Sequence, residues 1–120
     1  MDLVQAVAAN LEIEEAQAEK GVGALLMAMR VALDKDTFET VKEAVPNSER
    51  LMGRALMSGG RTGELAAMVG PAGLLAALAA AGFRKEDLPR LGRIVMEFLR
   101  PSIGNANVEK FLAGAPALQG

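Results

Sequence analysis

Cysteine, histidine, tryptophan and tyrosine are all absent from this chain of 120 residues. Without cysteine the chain can form no disulfide and offers no thiolate nucleophile. Without cysteine and histidine it also lacks the usual ligands of zinc and haem and the commonest general acid–base catalyst. We therefore expect no catalytic residue, no cofactor and no metal site. An enzyme would have to work with Asp, Glu, Lys, Arg or Ser alone.

Sequence signals for β-strands are missing as well. Aromatic residues make up 3% of the chain, and no segment alternates β-branched or aromatic residues with polar ones. Residues that favour helices, chiefly Ala, Leu, Met, Glu, Arg and Lys, fill the segments between the glycines and prolines. The sequence therefore predicts an all-α fold. Its 51% hydrophobic residues are enough to build a core. We expect a compact orthogonal bundle of about six or seven helices in a single domain over residues 1–120.

Capping residues, glycines and prolines set the expected helix boundaries. Helices are expected over residues 2–10, 14–33, 63–69, 71–81 and 87–99, with a third ending at Pro46, a fourth ending at Gly59-Gly60 and a last one around Val108–Leu112. The expected N-caps are Asp2 for the first helix, Asp36 or Thr37 for the third, Asn47 or Ser48 for the fourth, and Asn105 or Asn107 for the last. Gly82 should end helix 71–81, and Pro101 and Gly104 should close helix 87–99.

Four residues are expected to have structural roles: Gly21, Gly23, Pro46 and Pro71. Gly21 and Gly23 lie inside the second helix, where each costs about 1 kcal/mol relative to alanine. We therefore expect a close helix crossing or a kink there. Pro46 should end the third helix, because the residue before a proline avoids the α region. Pro71 suits the first turn of helix 71–81.

Positive and negative charges are unevenly distributed along the chain, whose net charge is −2. Residues 1–49 carry ten acidic and four basic side chains, whereas residues 50–120 carry five acidic and nine basic ones. A net acidic chain with so few aromatic residues is poorly suited to nucleic acid. Either the polarity reflects ordinary solvated helix faces, or opposite charges pair within one fold or between two copies head to tail.

The longest uncharged stretch, Leu65 to Phe83, has nineteen residues, near the length of a membrane-spanning helix. Its alanine content, three glycines and Pro71 favour two short helical pieces meeting at Gly70-Pro71 over a transmembrane span. Residues 1–5 lack the basic and apolar segments of a signal peptide. We therefore expect a cytoplasmic protein, and the alternative of an export signal removed from a longer precursor stays open.

Five residues are candidate interface positions: Met27, Met57, Arg90, Arg93 and Arg100. The three arginines recur at helical spacing opposite the apolar stripe of helix 87–99, where they form a solvated face or meet an acidic partner or lipid head groups. The two methionines lie beside the main apolar stripes of their helices. They fill the core, or they mark a second apolar face for a partner helix or an apolar ligand.

Two further patterns resemble functional motifs and fit structural roles better. The segment Gly59–Gly63 lacks the preceding strand and the lysine of a phosphate-binding loop, so it predicts a helix that stops and restarts. The acidic pairs Glu14-Glu15 and Asp34/Asp36 lie at expected helix ends, where capping and the helix dipole account for them.

The most distinctive segment, Gln17–Leu26, resembles the glycine-rich, alanine-leucine-leucine segment of the VcgC/VcgE family of uncharacterised bacterial proteins. Further segments that are similar to the family are Phe38 with Val45-Pro46, the helix Leu91–Leu99, Gly104 and Val108–Leu112. The sequence departs from the family where a paired glycine is expected, since Lys20 precedes Gly21. The resemblance implies an all-α bacterial domain. The family has no established activity, so the resemblance implies no catalytic residue.

These observations favour a non-enzymatic interaction protein that associates with itself, with a symmetric dimer as the default oligomer. The alternative is a carrier of an apolar ligand or a membrane-surface binder that uses the 65–83 segment and the arginines of helix 87–99. An enzyme is a third hypothesis, and it would need a deep pocket with a desolvated carboxylate.

Overall fold

A computed structural model describes residues 2–57, 74, 78–115 and 118, apart from the side chains of residues 54–57. The helices whose two ends both lie in these residues are α1 (Leu3–Leu11), α2 (Glu15–Ala32), α3 (Lys35–Ala44), α4 (Ser48–Met57), α5 (Leu88–Ile103) and α6 (Asn105–Ala113). Residues Lys85–Asp87 form a 3₁₀ turn. No strand occurs in these ranges, so the expected all-α fold is confirmed. The expected helix 63–69, the stop at Gly59-Gly60 and Pro71 lie outside the described residues.

Helix α2 is the central element of the bundle. Every residue from 21 to 29 is buried, and a helix that is apolar on all sides must be surrounded by other elements. Helix α2 packs most extensively against α4 and also contacts α1 and α3. Helix α5 contacts α1, α3, α6 and the 3₁₀ turn. Helices α1 and α3 each contact both α2 and α5, so they connect these two helices.

Several expected helix ends are confirmed by their hydrogen bonds. The Asp2 carboxylate accepts a bond from the Gln5 backbone N–H at 2.8 Å, and the Gln5 side chain accepts one from the Asp2 N–H at 3.2 Å. This reciprocal pair is a capping box. Gly82 has a φ of 96°, and the N–H groups of Gly82 and Phe83 bond to the carbonyls of Ala79 and Leu78. That pattern is a Schellman motif, and it ends the helical segment that contains residues 78–80.

The cap of α3 is Asp34, so the prediction of Asp36 or Thr37 is wrong. The Asp34 carboxylate accepts a hydrogen bond from the Thr37 N–H at 2.7 Å, which lets the helix start at Lys35. Hydrogen bonds from Thr37 hold the pKa of Asp34 below its usual value, with a smaller contribution from the positive charge of Lys110. The helix ends at Ala44, just before Val45-Pro46, as expected.

Helix α5 continues through Pro101, so the prediction that this proline closes the helix is wrong. Pro101 lies in the last turn, two residues before the helix ends at Ile103, so the bond that its missing N–H removes is lost near the helix end rather than in the interior. The end is set by Gly104, which has a φ of 85°. Gly104 also precedes α6 in the N-cap position, so neither Asn105 nor Asn107 caps that helix. Instead, the Asn107 side chain donates to the Ile103 carbonyl at 2.8 Å and satisfies the end of α5.

Two glycines in helices are required by close packing. A Cβ on Gly21 would lie 2.6 Å from Cε2 of Phe83, and a Cβ on Gly92 would lie 2.8 Å from the backbone oxygen of Leu118. Both distances are shorter than real carbon contacts. A close helix crossing or a kink is expected at Gly21, whereas the close contact that the structure shows there is with the ring of Phe83. Gly23 is buried in α2.

Candidate functional site

A groove with a volume of about 600 Å³ lies between α2, α3 and α4, and we call it the α2–α4 groove. This size is within the range of small-molecule sites, about 300–1,000 Å³. The groove is lined by Met27, Arg30, Lys35, Phe38, Glu39, Lys42, Glu49, Met52 and Gly53. Three helices contribute to it, so its shape depends on how they pack.

The floor of the α2–α4 groove is apolar. It consists of Met27, Phe38 and Met52, one from each helix, and these residues are 7%, 8% and 7% exposed. Each belongs to the hydrophobic core and presents only its edge to the groove. Methionine side chains are flexible and polarisable, so two of the three floor residues can adjust to an occupant.

Charged side chains form the rim of the groove. The Nζ atom of Lys42 lies 3.5 Å from Oε1 of Glu39 and 3.4 Å from Oε1 of Glu49. Lys42 thus bridges α3 and α4 and holds both carboxylates of the rim. Arg30 and Lys35 are exposed, and neither forms an ion pair with any described residue. The rim side chains that have no ion-pair partner among the described residues, Arg30 and Lys35, are therefore positively charged.

Basic residues are concentrated at this groove in an otherwise acidic part of the chain. Residues 1–49 contain only four basic side chains against ten acidic ones. Three of those four, Arg30, Lys35 and Lys42, line the groove. The local charge is therefore opposite to that of the surrounding sequence, which favours an anionic group near the rim.

Gly53 forms part of the groove wall. A Cβ built on it would meet no atom within 4 Å. Unlike Gly21 and Gly92, Gly53 is not required by packing, yet a glycine inside a helix costs about 1 kcal/mol relative to alanine. Its effect on the surface is to leave the groove wider beside α4.

The predicted arginines lie on α5 and have different surroundings. The Nη1 atom of Arg90 donates to the Asn10 carbonyl at 3.4 Å, near the negative end of the α1 dipole. Arg93 and Arg100 are exposed, and neither pairs with an acid in the described ranges. We call these two residues the arginine face. They border a smaller groove of about 270 Å³, which is also lined by Pro89, Met96, Glu97, Leu112 and Leu118.

Acidic side chains are exposed at the start of α2, where Glu14 and Glu15 lie. Among the described residues, one ion pair joins the acidic first part of the chain to the basic second part. It connects Arg50 and Glu19 across 3.9 Å, with Arg50 61% exposed. Most charges of the two parts are therefore not paired with each other inside the described fold. The described carboxylates contain no group of three or more placed to hold a metal ion.

The structure does not bring the five candidate interface residues together. Met27 lies in the groove floor, whereas Arg93 and Arg100 border the smaller groove, and the two grooves share no lining residue. The side chain of Met57 lies outside the described part of the chain. Sequence reasoning missed Arg30, Lys35 and Gly53, and the signal that could have found the first two is the concentration of basic residues in an acidic region.

The described residues define an all-α bundle with a ligand-sized groove on one side and exposed arginines on another. None of their helices is both long enough and apolar enough to span a membrane. The chain belongs to the family described as protein of unknown function VcgC/VcgE (DUF2780), whose profile matches residues 1–100. The match covers α1 to α4 and most of α5. No curated protein and no solved structure matches the chain.

Proposed function

We propose that this chain is a non-enzymatic interaction protein that associates with itself through opposite charges. The contact joins Arg93 and Arg100 of one copy to Glu14 and Glu15 of another. The observation that supports this proposal is the set of exposed charges without partners: both groups are exposed, and neither is paired with any other described residue. A two-fold dimer would form the contact twice, because each copy supplies both surfaces.

The expected association is weak and depends on salt. Single exposed ion pairs contribute about 0.2–1 kcal/mol, so a few pairs give a modest affinity. Complementary charges mainly speed the encounter and select the partner. At about 1 M salt the screening length falls to about 3 Å, and the contact should be lost.

Sedimentation velocity at low and high ionic strength tests this proposal. The wild-type protein should shift towards dimer with rising protein concentration at low salt and should be a monomer at high salt. The double variant Arg93→Glu/Arg100→Glu should be monomeric at both, and so should Glu14→Lys/Glu15→Lys. A dimer that persists in either variant would contradict the proposed contact.

Mixing the two charge-reversed variants provides the matched control. Each is monomeric alone because it carries two surfaces of the same sign. Together they restore both complementary contacts, one of them with its signs reversed, so a heterodimer should form at low salt. A mixture that stays monomeric would count against direct pairing of these four side chains.

The second candidate function is carriage of an apolar ligand. It is favoured by the α2–α4 groove, whose floor of Met27, Phe38 and Met52 is apolar and whose volume suits a small molecule.

A further inference from the structure

The α2–α4 groove combines three features: a floor made of the edges of three core side chains, rim cations without an ion-pair partner among the described residues, and a glycine where packing would accept a side chain. We infer that this groove binds a long-chain fatty acid, with its carboxylate at Arg30 and Lys35 and its chain along the floor. This inference rests on the second candidate function and does not depend on self-association.

The charge of the rim selects an anionic head group. Both rim carboxylates lie within 3.5 Å of Lys42, so they are already neutralised in part. Arg30 and Lys35 have no such partner among the described residues. The Asp34 carboxylate next to Lys35 bonds to the backbone of α3. A carboxylate ligand would therefore find two free donors, and charge-assisted hydrogen bonds are stronger than neutral ones.

The floor and Gly53 fit a thin alkyl chain. The three floor side chains expose only their edges, 7–8% of their surface, so the groove is a narrow apolar seam. Space remains beside Gly53, where a Cβ would touch nothing within 4 Å. A partner helix would be about 10–12 Å across and would need a row of apolar contacts. The groove offers such a helix too little apolar surface.

Equilibrium binding of radiolabelled myristate to the delipidated full-length chain tests the inference. The groove-filling variant Gly53→Leu should weaken binding by at least about tenfold, since its side chain occupies the path of the alkyl chain. Gly53→Ala adds only the Cβ, so it should weaken binding less than Gly53→Leu does. Thermal unfolding followed by circular dichroism should show that both variants are folded.

The head group is tested separately. Arg30→Gln/Lys35→Gln should weaken myristate binding by roughly tenfold or more, since it removes two charged donors. Tetradecanol, which has the same chain without the charge, should bind wild type and this variant equally weakly. The inference is overturned if wild type does not bind myristate, if Gly53→Leu binds it normally, or if tetradecanol competes as well as myristate.

Failure of this inference can be distinguished from failure of self-association. The variant Arg93→Glu/Arg100→Glu is altered only on the arginine face, so it should bind myristate as wild type does. The variant Gly53→Leu should still dimerise at low salt. If both activities were lost in one of these variants, the two surfaces would not be independent and the inference as stated would be contradicted.

Discussion

The α2–α4 groove and the arginine face both carry positive charge, but their surroundings differ. In the groove, charged side chains surround three core residues that are 7–8% exposed. On the arginine face, Arg93 and Arg100 are open to solvent. Arg30 and Lys35 are exposed as well, so the difference lies in the groove beside each pair, about 600 Å³ against about 270 Å³. The larger groove has room for a ligand that the rim charges can orient. The surroundings of a charge therefore indicate its use better than its sign does.

Truncating a side chain in each region should give the largest contrast. Phe38→Ala should lower the free energy of unfolding by about 3 kcal/mol or more, because it removes a buried ring from the core. Arg93→Ala should change it by no more than about 0.5 kcal/mol, as expected for an exposed position. Urea unfolding followed by circular dichroism measures both. Equal losses would mean that the groove floor is not part of the core.

Glycine-to-alanine substitutions should give effects of opposite sign in the two regions. Gly92→Ala on α5 should destabilise the protein by about 1–2 kcal/mol, since the new Cβ would overlap Leu118. Gly53→Ala in the groove should stabilise it by up to about 1 kcal/mol through helix propensity, because no neighbour has to move. The midpoints of urea unfolding compare the two directly. Destabilisation by Gly53→Ala would show that space beside Gly53 is needed for folding.

Removing Lys42 should have a smaller effect. Lys42→Met keeps the stem of the side chain but removes its contacts with Glu39 and Glu49, which connect α3 and α4. The loss should be at most about 1 kcal/mol and should shrink at high salt, because both carboxylates are substantially exposed. Arg84→Met, whose contacts with Glu86 and Asp87 join neighbouring residues, should cost less. Thermal melts at two salt concentrations test this order.

The smallest effect concerns pH. Because hydrogen bonds from Thr37 lower the pKa of Asp34 in the folded chain, ionised Asp34 stabilises the fold above the ordinary carboxyl pKa of 3.8. That contribution is lost as the pH falls below 3.8 through the lowered value. Asp34→Asn keeps a capping side chain without the charge, so its Tm should be slightly below that of wild type at pH 7. The difference should disappear in acid, and one that grew in acid would contradict the assignment.

Local signals in the sequence are sufficient for most helix ends in the part of the chain that the structure describes. A helix end can be predicted where one residue determines it through its nearest neighbours in the chain. This is the case for the cap at Asp2, the stop at Gly82 and the helix end before Pro46. The errors at Asp34 and Pro101 are also local. In the first case several residues in a row could cap the helix, and in the second the helix runs only two residues past the proline before Gly104 ends it.

The groove could not be predicted in the same way. Arg30, Lys35 and Lys42 come from two helices, and only the packing of α2, α3 and α4 places them around one cavity. Gly53 gives no periodic signal, and in the sequence it looks like any other glycine within a helix. The sequence makes Met27 a candidate interface position, but its position in the groove floor depends on Phe38 and Met52 from neighbouring helices.

Ligand binding and self-association are proposed to belong to separate surfaces of the molecule. Native mass spectrometry over a range of protein concentrations, with myristate present, tests this proposal in one experiment. We expect Gly53→Leu to form dimers without bound fatty acid and Arg93→Glu/Arg100→Glu to be a monomer carrying one fatty acid. Two variants with the same spectrum as each other, or a fatty acid bound to Gly53→Leu as tightly as to wild type, would contradict the proposal.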